Sequence, residues 1–140
     1  MTTIPNVFAG RFCWVDLAAT DANAAQRFYE RLFDWTTETR RVRQGTFSVF
    51  ALGTQNVASF YQLGEGHLSA GVPSHWTPYI RVSDVRESAM RANALGATVI
   101  VEPFDLAGMS RIALIQDPVG AIFGLWQQTD VRAGQRRSAS

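Results

Sequence analysis

The pattern of apolar residues predicts the same order of elements twice along the chain, and this repeat limits the fold more than any other feature. In the first half, a strand-like run at 12–17 precedes two good helix N-caps, Thr20 and Asp21. Residues at spacings of three and four then form one apolar helical face, made of Ala24, Ala25, Phe28, Tyr29, Leu32 and Phe33. Strand-like runs follow at 36–43, 46–52 and 57–63, separated by Gln44-Gly45 and Gly53-Thr54, which suit tight turns.

The second half begins after a breaker-rich stretch at 64–73 and follows the same order. A strand-like run at 77–82 leads to Asp84 and Glu87, which have the spacing of a capping box. A second helical face follows, and Gly96 is a natural C-terminal stop. Strand-like runs return at 98–101, 111–115 and 121–127.

Individual residues also support the repeat. Residues 14–21 align with 77–84, strand over strand and cap over cap, and residues 59–62 align with 124–127. We therefore predict an α+β fold of two tandem βαβββ modules that form a cleft between curved mixed sheets. The predicted boundaries are an N-terminal arm at 1–10, modules at 11–63 and 76–128, a linker at 64–75 and a flexible tail at 129–140, with one domain overall at 10–128.

The charge distribution argues against nucleic acid as a partner. The formal net charge is +1, and Arg132, Arg136 and Arg137 lie in the predicted tail. Ten Arg and eleven Asp plus Glu remain in residues 1–128, so the folded body is close to neutral. The tail could contact an anionic partner, although a short polar terminus is usually disordered.

The residue types exclude further classes of chemistry. Every basic side chain is Arg, so a Schiff base or a lysine general base is excluded. Cys13 is the only cysteine, which excludes an internal disulfide and a cysteine-rich zinc site and fits a reducing compartment. We find neither a signal-peptide pattern nor an apolar run of membrane-spanning length, and predict a cytoplasmic protein with no membrane partner.

Three short motifs carry a resemblance to a known family over residues 10–128. They are Arg27-Phe28-Tyr29 in the first helix, Leu95-Gly96-Ala97 at the exit of the second, and Asp117-Pro118-Val119-Gly120 before the last strand. In this order they resemble the vicinal oxygen chelate superfamily, which groups glyoxalase I, extradiol dioxygenases, fosfomycin-resistance proteins and bleomycin-binding proteins. The closing residues 120–127 are similar to a subgroup often met in actinobacteria, whose activities are mostly unassigned.

In metal-using members, the resemblance implies a divalent ion held by His, Gln or Glu on the first and last strands of each module. The matching positions here are Trp14, Ser59, Thr77 and Gly124, which cannot supply several imidazole or carboxylate donors. We therefore predict no metal and no cofactor. The alternative is an irregular site in which His75, Asp16 and a loop acid converge; the simpler interpretation of His75 and of His67, the other histidine, is that they are exposed to solvent.

Strand alternation assigns side chains to the predicted cleft. In the first strand Cys13, Val15 and Leu17 should pack on the helix, as should Pro78, Ile80 and Val82 in the fifth. The residues expected to contact a ligand are Phe12, Trp14, Ser59, Tyr61, Thr77, Ile122, Gly124 and Trp126. Their aromatic rings suit a planar ligand, but they could equally fill the core between two sheets.

Asp16, Arg81 and Tyr79 are the candidate catalytic residues. A carboxyl among aromatic rings has a raised pKa, which suits general acid–base chemistry, and Arg81 or Tyr79 could stabilise an enolate. The alternative is a structural ion pair between Asp16 and Arg81. Cys13, on the helix side, is expected to be an inert buried thiol.

Three functions remain open from the sequence. The first is a protein that binds a planar, aromatic or polyketide-like metabolite without the usual metal site. The second is a metal-independent enzyme of secondary metabolism that uses Asp16 as general base, such as an isomerase or lyase. The third is a divalent-metal lyase, isomerase or dioxygenase. By analogy with the superfamily, we expect a homodimer.

Overall fold

The computed structural model describes residues 9–42, 45–106 and 110–129. The predicted arm and tail lie outside these ranges, apart from residues 9, 10 and 129. The chain divides into two compact units. The first unit is Trp14–Pro78, and the second comprises the other described residues.

The first unit holds three strands and two helices whole, and the larger part of β1. Its elements are β1 (Phe12–Ala19), α1 (Ala22–Phe33), β2 (Thr36–Val42), β3 (Gly45–Leu52), β4 (Gln55–Gln62) and the short α2 (Glu65–Ser69). The strands pair in the order β2-β3-β4-β1. Neighbouring strands are antiparallel except β1 and β4, which are parallel and align Asp16 with Ser59 and Leu17 with Phe60.

Helix α1 packs on one face of this sheet. The buried core contains Leu17, Ala19, Phe50, Ala58 and Phe60, and Ala25 and Tyr29 of α1 pack against it. Phe28, Leu32 and Phe33 of the predicted apolar face are 58%, 56% and 46% exposed. The apolar stripe of α1 is therefore wider than its contact with the sheet, and only the Ala25–Tyr29 side of it is covered.

The second unit repeats this order. Its elements are β5 (His75–Arg81), which begins in the first unit, α3 (Val85–Ala94), β6 (Thr98–Leu106), β7 (Ser110–Gln116) and β8 (Ile122–Gln128). The strands pair in the order β5-β8-β7-β6, with β5 and β8 parallel and the other pairs antiparallel. Val85 and Ala89 of α3 are buried with Ala113, Ile115 and Leu125. The α+β class and the two tandem βαβββ orders predicted from the sequence are confirmed.

The predicted N-caps Asp21 and Asp84 are present. The Asp21 side chain accepts a hydrogen bond from the Ala24 backbone at 3.0 Å, and that of Asp84 accepts one from the Glu87 backbone at 3.1 Å. Each bond satisfies a backbone N–H in the first turn that has no partner within its own helix. One cap of α1 and one of α3 are thus encoded by the residue next to each helix.

Two stretches differ from the sequence-based prediction. The breaker-rich linker contains α2: Gly64 is its N-cap, Gly66 lies within it, and Gly71, just beyond its end, adopts a φ of 79°. Strand β6 continues past Val101 to Leu106, although Pro103 cannot donate to a ladder. Its register against β7 shifts twice, between Val99 and Val101 and between Val101 and Phe104, so the proline lies within an irregularity.

No helix within residues 9–42, 45–106 and 110–129 is both long and apolar enough to cross a bilayer.

Candidate functional site

The sheet of the first unit carries a polar group on the face opposite α1. Leu17 and Phe60 point toward α1, so their strand neighbours Asp16 and Ser59 point to the other face. The parallel pairing of β1 and β4 sets these two residues side by side. The alternation predicted for β1 at Asp16 and Leu17 is therefore the one observed, whereas Val15, expected on the helix side, is 37% exposed.

Three side chains on this face form a hydrogen-bonded chain. The Trp14 indole Nε1 donates to Ser59 Oγ at 2.9 Å, and Ser59 Oγ donates to Asp16 Oδ1 at 2.6 Å. Ser59 is buried, whereas Trp14 and Asp16 are partly buried. Tyr61, two residues after Ser59 on the same strand face, is 37% exposed. The group therefore combines one carboxyl, the hydroxyls of serine and tyrosine, and two aromatic rings.

Burial dominates the electrostatics of Asp16. Loss of water raises the pKa of Asp16 from 3.8 to about 7, while the Ser59 hydrogen bond and the charge of His75 lower it. The pKa of Tyr61 is raised as well, first by burial and then by the negative charge of Asp16. Asp16 can thus hold or release a proton close to neutral pH, which is the property that acid–base chemistry requires.

A second group of predicted residues meets in the second unit. Gly124 is the Cα partner of Tyr79, and a Cβ at position 124 would lie 2.1 Å from Tyr79 Cδ2. The Tyr79 and Trp126 rings are in edge contact, with centroids 6.0 Å apart. Glycine at 124 is therefore required by the Tyr79 ring, which occupies the space where a side chain would begin.

The remaining predicted residues have varied surroundings. Phe12 is 70% exposed and Ile122 is 47% exposed, whereas Thr77 on β5 is buried. Arg81 belongs to the second unit and is partly buried. Burial raises the pKa of the Cys13 thiol, and the charge of Arg81 lowers it.

The four positions matched to metal ligands do not fit a divalent ion. The indole N–H of Trp14 and the hydroxyl proton of Ser59 are both committed to hydrogen bonds, and an indole is a donor only. Gly124 has no side chain, and Thr77 offers one hydroxyl. The alternative site around His75 was also tested: within the described part of the chain, no three His, Cys, Asp or Glu residues converge as metal ligands would.

Sequence reasoning missed several features of this region. It identified Trp14, Ser59 and Asp16 separately but not the chain of hydrogen bonds that joins them. It also did not predict that His75, considered only as a metal ligand or an exposed residue, acts on the Asp16 carboxyl through its charge. The repeat alignment sets Gly124 over Ser59, and it therefore does indicate that the second unit has no side chain at the position where the first carries a hydroxyl.

Comparisons with known proteins agree with this architecture. The family model described as a glyoxalase-like domain matches residues 14–126. The protein CFP32 of Mycobacterium tuberculosis, whose name assigns it provisionally to the glyoxylases, is 36% identical over 116 residues, which cover 81% of this chain and 44% of the relative. DnrV of Streptomyces peucetius, named as an anthracycline biosynthesis protein, is 32% identical over 130 residues, which cover 85% of this chain and 47% of the relative.

A solved structure shows the same fold at lower identity. Methylmalonyl-CoA epimerase from M. tuberculosis superposes with a TM-score of 0.65 at 17% identity, covering 96% of this chain and 97% of its own. The chain spans about half the length of the curated relatives it matches. The resemblance to the vicinal oxygen chelate superfamily is confirmed, and the chain belongs to the glyoxalase-like domain family.

Proposed function

We propose that this chain binds a small planar or aromatic metabolite on the face of the first unit that carries Trp14, Asp16, Ser59 and Tyr61. The observation that carries the proposal is the hydrogen-bonded carboxyl of Asp16 beside two partly accessible rings. A few convergent polar groups among aromatic side chains are typical of sites for small organic ligands.

The name of one relative supports this class of ligand. DnrV is named for anthracycline biosynthesis, and anthracyclines are planar, polyketide-derived molecules with phenol and ketone groups. The rings of Trp14 and Tyr61 suit the flat surface of such a molecule, and Asp16 suits a phenol or a carbonyl oxygen at its edge.

Calorimetric titration with an anthracycline aglycone tests this proposal. We expect Tyr61→Ala to weaken binding about tenfold, because a lost aromatic contact is worth roughly 1 kcal/mol and its buried area adds to that. Phe28→Ala is the matched control, since it removes an exposed ring from α1 on the other side of the sheet. Equal losses in the two variants, or no binding of the aglycone and of smaller planar phenols, would refute the proposal.

A second candidate function is acid–base catalysis without a metal, and the pKa of Asp16, raised to about 7, favours it. In this reaction the Asp16 carboxylate takes a proton from a carbon next to a ketone, the C–H electron pair forms a C=C bond to the carbonyl carbon, and the C=O π pair moves onto the oxygen as an enolate. Where a C=C bond is conjugated with this enolate, return of the proton to the far end of that bond would complete an isomerisation. The enolate-stabilising role expected of Tyr79 and Arg81, which belong to the second unit, stays a prediction.

Proton exchange in heavy water separates the two candidates. 1-Tetralone, an aromatic ketone with exchangeable protons beside its carbonyl, serves as the probe. An enzyme of this kind would speed their replacement by deuterium above the buffer rate, and Asp16→Asn would abolish the gain. Binding of the probe without faster exchange would support a binding protein and reject the enzyme.

Two further predictions from the sequence remain proposals: a homodimer, by analogy with the superfamily, and a cytoplasmic location. Light scattering coupled to gel filtration tests the first. A mass of two chains supports the dimer, and a mass of one chain at micromolar concentration contradicts it.

A further inference from the structure

We propose that Trp14 acts on Asp16 through Ser59: the indole N–H fixes the orientation of the Ser59 hydroxyl, which then always donates to Oδ1 of Asp16 and leaves Oδ2 as the atom that meets the ligand. This inference rests on the proposed function for its ligand, but the hydrogen bonds it concerns exist without one.

The direction of the chain follows from the donor inventory of its members. An indole nitrogen can only donate, so Ser59 Oγ must accept from Trp14 at 2.9 Å. The hydroxyl keeps one proton, and its other close partner is Asp16 Oδ1 at 2.6 Å. A distance this short is typical of a hydroxyl that donates to a carboxylate.

The same geometry decides where the proton lies when Asp16 is neutral. If Oδ1 carried the proton, it would donate to Ser59, and the Ser59 proton would lose its acceptor. Ser59 is only 8% exposed, and a buried hydroxyl without a partner is costly. The proton of the neutral acid therefore belongs on Oδ2.

This arrangement specifies the chemical class of the ligand. Neutral Asp16 offers an Oδ2–H donor, which fits a ketone oxygen, whereas ionised Asp16 offers an Oδ2 acceptor, which fits a phenol or an acidic C–H next to a ketone. A planar molecule that carries a phenol beside a ketone fits both states. His75 on β5 acts on Asp16 through its charge, and the charge of Asp16 acts in turn on Tyr61 on β4.

The hydrogen bonds from Trp14 through Ser59 to Asp16 form what we call the relay. The relay also gives a role to two positions that the superfamily resemblance assigns to metal ligands. Trp14 and Ser59 hold a carboxyl in place of an ion, and the reactive group becomes the third residue, Asp16. In this interpretation Trp14 and Ser59 are positioning residues, since they act on the ligand through Asp16.

Carbon-13 NMR of the full chain labelled at the Asp carboxyl carbons tests the relay without any ligand. Asp16→Asn identifies the Asp16 signal by its loss. We expect Ser59→Ala to raise the Asp16 titration midpoint by about one pH unit, because the carboxylate loses a donor. Ser59→Thr, which keeps the hydroxyl, should restore the midpoint, and Trp14→Phe, which keeps a ring but lacks the N–H, should raise it by less than Ser59→Ala.

The Trp14 indole proton provides a second readout that a merely structural role would not move. In the unaltered chain the chemical shift of this proton should change with pH at the Asp16 titration midpoint. In Ser59→Ala this change should disappear. The relay is refuted if Ser59→Ala leaves the midpoint unchanged, or if the indole resonance does not follow Asp16. A moved midpoint in a protein that binds no planar ligand would keep the relay and reject the proposed function.

Discussion

Gln62 and Gln127 make the same hydrogen bond in the two repeats. Each side-chain Oε1 accepts from the first backbone N–H of its own repeat's helix, Ala22 or Val85, at 2.8 Å. These glutamines end the matched segments 59–62 and 124–127. With Asp21 and Asp84 they satisfy two of the four backbone N–H groups that each helix leaves open at its N-terminus.

We therefore predict that Gln127→Met lowers the free energy of unfolding by about 1 kcal/mol, the usual net worth of such a bond. Gln62→Met should lower it by more, because the Gln62 Nε2 also donates to the carbonyl oxygens of Thr20 and Leu63. Gln55→Met is the control, since Gln55 is exposed and its side chain shows no hydrogen bond among the described residues. Urea unfolding measures all three variants. Losses no larger than that of the control would show that the glutamines do not help to cap the helices.

Gly124 is predicted to be intolerant of the smallest side chain. In Gly124→Ala the new methyl group would overlap the Tyr79 ring, and we expect a loss of roughly 1–3 kcal/mol in unfolding free energy. Gly66→Ala is the matched control, because a Cβ at position 66 meets nothing within 4 Å. Adding Tyr79→Ala to Gly124→Ala should make the alanine harmless, and a double-mutant cycle with no coupling would contradict the predicted overlap.

Asp16 should make the protein less stable as the pH rises. The pKa of Asp16 in the fold, about 7, lies above its ordinary value of 3.8. Between these two pH values the folded chain therefore holds a proton on Asp16 that the unfolded chain has lost. The contribution of Asp16 to the free energy of unfolding is fully present below about pH 4. It is lost as the pH rises toward 7, by up to about 1.4 kcal/mol per pH unit. Asp16→Asn should flatten this dependence, and Asp34→Asn, which alters an exposed carboxyl at the end of α1, is the matched control.

Unfolding free energies measured by urea at several pH values between 4 and 8 test this prediction. If Asp16→Asn and the unaltered chain show the same pH dependence, the carboxyl does not titrate near neutrality, and the proposed acid–base function loses its main support.

Much of the fold could be predicted because its signals are local. The caps at Asp21 and Asp84 act on backbone groups three residues away, and apolar spacing identifies α1 without reference to the rest of the chain. Breakers were harder to interpret. The strand predicted at 98–101 ends before Pro103, whereas β6 continues beyond this proline through two irregularities in its register.

The candidate site was predicted in its residues but not in its bonds. Strand alternation assigned both Asp16 and Ser59 to the predicted cleft. Their contact with each other, however, depends on the register of β1 against β4. That register is set by packing between segments more than 40 residues apart, with the Asp16–Ser59 bond spanning 43. No local pattern encodes it, so the pairing of Ser59 with Asp16 requires the structure.

Chemical-shift mapping with an anthracycline aglycone tests the central claim most directly. The account predicts that the Trp14 indole N–H and the Asp16 carboxyl carbon show the largest changes, with Tyr61 next and the exposed Phe28 of α1 unaffected. Changes concentrated on α1, with Trp14 and Asp16 unmoved at saturation, would contradict it.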